Sequence, residues 1–128
     1  MKKILIVDDD KIFLKIFKDT IEKTRAGEYE VVPAVDGEDA LARVDEVNPD
    51  IIVLDIQMPR MDGIAFLRKI KKRQYNPEIP VLISSNFSDV DKVSEGIELG
   101  VKGYVVKSDY SLEGIIQQID NIFEDKSE

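Results

Sequence analysis

The sequence predicts an α/β protein: a doubly wound, five-stranded parallel sheet covered by five helices. Two observations predict it. Short apolar runs alternate with helix-period stretches along the whole chain, giving five β-α units in a row. The first, third and fourth of those runs are continuously apolar, as central parallel strands buried on both faces must be. The chain has 128 residues and 43% hydrophobic content, which suits one core and a single domain over residues 1–128. No linker, repeat or low-complexity stretch interrupts it, and only the tail from Glu124 to Glu128 reads as frayed.

The elements follow in order. Ile4-Leu5-Ile6-Val7 is the first strand, and it stops at Asp8-Asp9-Asp10. Asp10 reads as the cap of a helix whose inner positions are Phe13, Ile16, Phe17, Thr20 and Ile21, with Lys11, Lys15 and Lys18 interleaved. A weaker strand runs from Tyr29 to Ala34, and its Pro33 predicts a sheet edge. Asp36 is expected to cap the second helix, with Asp39 as capping-box partner and Ala40, Leu41, Val44 and Val47 inward. Ile51-Ile52-Val53-Leu54 is the most apolar strand and ends at Asp55. Asp62-Gly63 opens a helix burying Ile64, Phe66, Leu67 and Ile70. Pro80-Val81-Leu82-Ile83 leads to Ser84-Ser85, and Ser88 with Asp91 predicts another capping box. That box precedes a helix with Val90, Val93 and Ile97 that stops at Gly100. Tyr104-Val105-Val106 ends at Lys107, and the last helix starts at Ser111, with Leu112, Ile115, Ile116, Ile119, Ile122 and Phe123 inward.

Composition excludes several kinds of chemistry. There is no cysteine and no histidine, so thiol chemistry, Cys-ligated zinc and the commonest general base are all out. The net charge of −8 opposes nucleic-acid binding, and no direct nucleic-acid partner is expected. No apolar run approaches the roughly 20 residues of a bilayer span, and acids follow the first strand too early for a signal peptide. The cytoplasm is the expected location, with no membrane contact.

In a doubly wound sheet, ligands bind beyond the carboxyl ends of the strands. Those ends carry Asp8 and Asp9, Asp55, Ser84 and Ser85, and Lys107. Carboxylates are the hard oxygen ligands that Mg²⁺ takes, and an aspartate can itself be the nucleophile in an acyl phosphate. A hydroxyl and a lysine suit the remaining phosphoryl oxygens. A single aspartate at a strand end is usually a turn or cap residue, and Asp10, Asp36, Asp62 and Ser88 take that reading. Two adjacent acids after one strand and a third after another repel one another unless a cation is present, so their convergence points to function.

At these residues the sequence resembles the response-regulator receiver family of two-component signalling. The matching segments are Ile6-Val7-Asp8-Asp9, Asp55-Ile56-Gln57-Met58-Pro59 through Met61-Asp62-Gly63, Pro80 through Ser85, and Gly103-Tyr104-Val105-Val106-Lys107. The similarity covers roughly residues 2 to 124, almost the whole chain. The resemblance implies the flavodoxin-like receiver fold and a phosphoacceptor switch that catalyses only its own phosphorylation and dephosphorylation. It implies that Asp55 is phosphorylated with Mg²⁺ bound by Asp8, Asp9, Asp55 and the Gln57 carbonyl, Asp8 acting through water. Ser85 resembles the switch hydroxyl, Lys107 its cationic partner, and Tyr104 the aromatic that moves inward on activation; an ordinary strand aromatic is the plainer reading of Tyr104. The implied partners are a sensor histidine kinase or phosphotransfer protein upstream. Downstream, a target protein or second copy would dock on the face of the fourth helix, fifth strand and fifth helix. With no output domain after the last helix, a stand-alone receiver is expected. Three departures bear on kinetics and loop geometry: Ser108 in place of the usual proline, with a trans Lys107–Ser108 bond expected, Asn86 after the switch hydroxyl, and the bulky Phe87, expected to slow dephosphorylation. Two other readings compete. A haloacid-dehalogenase-type phosphatase would share the Asp8-x-Asp10 spacing but lacks the Gly-Thr, the late acidic pair and the length for a cap domain. A binding module that has lost the chemistry would not need Asp8, Asp9, Asp55, Ser85 and Lys107 intact.

Overall fold

A computed structural model describes residues 1–58, 61–75, 78–85, 90–107 and 111–126. The chain runs β1 (Lys2–Val7), α1 (Lys11–Thr24), β2 (Tyr29–Ala34), α2 (Gly37–Val47), β3 (Ile51–Leu54), α3 (Gly63–Arg73), β4 (Val81–Ser85), α4 (Val90–Glu98), β5 (Gly103–Val106) and α5 (Leu112–Lys126). All pairings are parallel and the strand order is β2-β1-β3-β4-β5. The predicted architecture is therefore the observed one. The three continuously apolar strands occupy the centre, and β2 with its Pro33 lies at an edge, where a missing N–H costs no ladder bond.

Side-chain alternation along the strands divides the core in two. Ile4, Ile6, Ile51, Val53, Leu82 and Val105 pack under Leu14, Phe17 and Ile21 of α1 and Ile115, Ile116 and Ile119 of α5. Leu5, Val7, Ile52 and Leu54 pack under Ala40 and Val44 of α2 and Phe66, Leu67 and Ile70 of α3. A smaller cluster of Ile56, Ile64 and Ile83, with Val93 and Tyr104 against it, underlies α4. Burying each large aliphatic side chain contributes roughly 1.5–3 kcal/mol.

Caps start the helices where the sequence places them. Asp10 accepts from the Ile12 and Phe13 backbone N–H groups, Asp36 from Asp39, and Asp62 from Ala65. Asp39 does reach back, but to the N–H of Val35 at 3.1 Å rather than to that of the cap residue. Ser111 accepts from Gly114 N–H and begins α5. Gly100, at φ 88°, takes the left-handed conformation that ends α4.

One inner-face expectation is corrected. Ile16 is 47% exposed, and Leu14 takes the buried position on α1. With apolar residues at 12, 13, 14, 16 and 17, the sequence offers several stripes, and the sheet selects the one through Leu14, Phe17 and Ile21. Ile97 is 63% exposed because Gly96 holds the inward place on α4, where an added Cβ would stand 2.6 Å from the Ile83 Cδ1. The expectations resting on Pro59, Asn86, Phe87, Ser88 and the Lys107–Ser108 bond lie outside the described residues.

Candidate functional site

The chain leaves β1 for β2 on one side and returns past it to β3 on the other, so the switch point of the sheet lies between the ends of β1 and β3. Backbone ladders fix what stands there. Asp8 N–H donates to the Ala34 carbonyl at 3.0 Å, and Asp55 N–H to the Val7 carbonyl at 2.9 Å. The first β1 acid and the β3 acid are thereby neighbours. Across β4 and β5, Lys107 N–H donates to the Ser85 carbonyl at 2.7 Å, which sets Lys107 beside Ser85.

Carboxylate oxygens of Asp8, Asp9 and Asp55 all lie within 4.8 Å of one another. Asp8 and Asp55 are buried, at 2% and 7% exposure, while Asp9 is exposed. Asp8 Oδ1 accepts from the Asp10 N–H at 2.9 Å, and Asp8 Oδ2 pairs with the Lys107 ammonium. Lys107 Nζ stands 3.9 Å from Asp55 Oδ2, and Asp55 Oδ1 accepts from the Gln57 N–H at 3.2 Å. Burial pushes the Asp55 carboxyl up to about 6; the Lys107 ammonium opposes that rise and the Asp8 carboxylate adds to it. Burial also raises Asp8, against the hydrogen bonds from Lys107 and Asp10.

Three carboxylates face one ammonium here, so the cluster has negative charge in excess. Oxygen-only donors, partly open through Asp9, fit a hard divalent cation such as Mg²⁺ better than a soft metal. Among the described residues this is the group of acids gathered closely enough to hold an ion.

Ser85 is 1% exposed and shares the face of Ile83, whose register partner is Tyr104. The half-buried Tyr104 ring packs in the α4 cluster. Ser84 points to the opposite face, toward the α1 and α5 side, and its Oγ is buried without a hydrogen-bond partner among the described residues. The two serines are thus separated by the sheet. Two further residues contribute contacts that the sequence does not state. Gly63 N–H donates to the Ile56 carbonyl at 2.8 Å, and a Cβ there would lie 2.4 Å from the Asp55 carbonyl oxygen. Only glycine lets α3 close on the segment after Asp55. Phe13, read as a core residue, presents its ring to Lys107 Nζ at 4.2 Å from the centroid.

The family model for the response regulator receiver domain matches residues 4–120, and the chain belongs to that family. It is a signalling-switch domain of two-component systems. It is 36% identical over 121 residues to the transcriptional regulatory protein YdfI of Bacillus subtilis, covering 94% of this chain and 54% of that protein. It is 38% identical over 107 residues to the alkaline phosphatase synthesis transcriptional regulatory protein PhoP of the same organism, covering 83% and 42%. The chain therefore spans about half the length of these curated relatives. Among solved structures, the chemotaxis protein CheY4 of Vibrio cholerae superposes with a TM-score of 0.83 at 30% identity, covering 94% of this chain and 98% of that one. Since relatives are named as transcriptional regulators, the expectation of no nucleic-acid partner gains no support from them. No helix among the described residues is long and apolar enough to cross a membrane.

Proposed function

We propose that Asp55 is the phosphoacceptor of this receiver domain and that its phosphorylation depends on Mg²⁺. The observation that supports this best is the convergence of Asp8, Asp9 and Asp55 within 4.8 Å beside the Lys107 ammonium. An Asp55 carboxylate oxygen attacks the donor's phosphorus and forms a P–O bond. The bond from phosphorus to the donor breaks, at a histidine nitrogen of a kinase or an oxygen of acetyl phosphate, and its electron pair leaves with the donor. A Mg²⁺ ion held by Asp8 (through water), Asp9, Asp55 and the Gln57 backbone carbonyl would supply positive charge to the phosphoryl oxygens. Ser85 donates its hydroxyl hydrogen to one of those oxygens and Lys107 donates from its ammonium to another.

Residues 1–128 form one such domain, which turns over only its own phosphoryl group. A sensor histidine kinase or phosphotransfer protein loads it. A downstream protein, or a second copy, reads the result on the α4-β5-α5 face, where Ser85 closing on the phosphoryl group lets Tyr104 turn inward. The cytoplasmic location expected from the sequence goes with this reading. Any nucleic-acid contact would belong to a longer protein, since the domain itself carries a net charge of −8.

Intact-mass analysis after incubation with acetyl phosphate tests the proposal. One phosphoryl adduct is expected with Mg²⁺, none with chelator, and none in Asp55→Asn. An undiminished adduct in that variant, or steady turnover of an aryl phosphate, would overturn it.

A further inference from the structure

We propose that Phe13 is a positioning residue for Lys107, its ring face carrying the ammonium between Asp8 and Asp55. This rests on the phosphoacceptor reading above. Lys107 Nζ lies 4.2 Å from the centre of the Phe13 ring, within the range where the ring quadrupole attracts a cation. The Lys107 side chain is only 9% exposed, so little water screens that attraction.

The ring is itself fixed. Phe13 sits in the first turn of α1, where its backbone N–H is held by the Asp10 cap at 3.1 Å. Its ring meets that of the fully buried Phe17 at 6.1 Å between centroids, tilted by 36°. Lys107, by contrast, ends a flexible stem with much rotamer freedom to lose.

Its charge pairs do not hold it where phosphoryl transfer needs it. The ammonium is bonded to Asp8, and at 3.9 Å it is too far from Asp55 Oδ2 for a hydrogen bond. To reach a phosphoryl oxygen on Asp55 the head must swing away from Asp8. A hydrogen-bonding residue in place of Phe13 would take one of the three N–H donors and pin the head. An aromatic face attracts the charge without consuming a donor, so the head can pivot across it while all three N–H groups stay available. A leucine would fill similar space without that attraction.

The test uses the full chain with tyrosine, leucine or a graded series of fluorinated phenylalanines at position 13. Fluorination weakens the ring quadrupole while largely keeping the ring's shape, so packing and folding persist. Two quantities are read: the rate of adduct formation from acetyl phosphate and the NMR shift of the Lys107 ε-methylene protons. The wild type should show an upfield ring-current shift, retained in Phe13→Tyr and lost in Phe13→Leu. The rate should fall about ten-fold in Phe13→Leu, and stepwise with fluorination, while Phe13→Tyr stays near wild type. A flat rate across the fluorinated series, or no ring-current shift in the wild type, overturns the inference while leaving Asp55 as acceptor. A wild type that takes no phosphoryl group at all sinks both readings.

Discussion

As the proposed phosphoacceptor, Asp55 meets two opposing demands: burial keeps water from its carboxyl, and the same burial resists the charge that a nucleophile needs. With its carboxyl pushed up to about 6, most of it is still ionised at neutral pH. The exposed-aspartate value is 3.8, so between that pH and about 6 the folded chain keeps a proton that the unfolded chain has released. Folding stability therefore falls as pH rises through that window, and the loss is complete above it. Asp8, also raised by burial, contributes with the same sign. In metal-free buffer, Asp55→Asn should flatten this dependence and raise stability near pH 7 by on the order of 1–3 kcal/mol. Urea melts across that pH range check it; a wild type that gains stability from pH 4 to 7, or a variant with the wild-type slope, would count against it. The acids and Lys107 were legible because each ends an apolar run and forms part of a recognisable motif. The Phe13 contact was not, since only the β5-to-α1 juxtaposition creates it and an aromatic at helical spacing reads as core.

At the scale of elements, α3 is closely tied to the site. Its first residue, Gly63, leaves no room for a side chain against the Asp55 and Ile56 backbone. Gly63→Ala must push α3 or that segment aside and weaken the Gly63-to-Ile56 hydrogen bond of 2.8 Å. The expected cost is about 1–3 kcal/mol in urea denaturation, with slower loading of Asp55. Unchanged stability and rate would mean the contact is slack. The sequence marked this turn as a helix start through the Asp62 cap, since capping has a local signature. It did not mark the close approach, which depends on how α3 packs. The same limit applies to α4, where Gly96 carries no hydrophobic signal although it occupies the buried place and Ile97 is exposed.

Across the whole molecule, a switch with its chemistry at the β1 and β3 ends must carry a signal to a surface that a partner can read. In the proposed switch the route runs through Ser85 on β4 to Tyr104, whose ring packs with Ile83 and with Val93 of α4. The exposed Ile97 gives that helix an apolar residue to offer. Amide exchange with beryllofluoride as a phosphoryl mimic should change protection along α4, β5 and α5; changes limited to the loops holding Asp9 and Asp55 would contradict the route. The architecture itself was readable in advance, because strands buried on both faces announce their central place by composition, and Pro33 announced the edge. Everything at this scale depends on the phosphoryl group residing on Asp55. Reducing the phosphorylated chain with borohydride and mapping the modified residue by peptide mass spectrometry tests that most directly: a single reduced acyl phosphate at Asp55 is predicted, and modification at Asp8, Asp9 or any other residue in its place would contradict it.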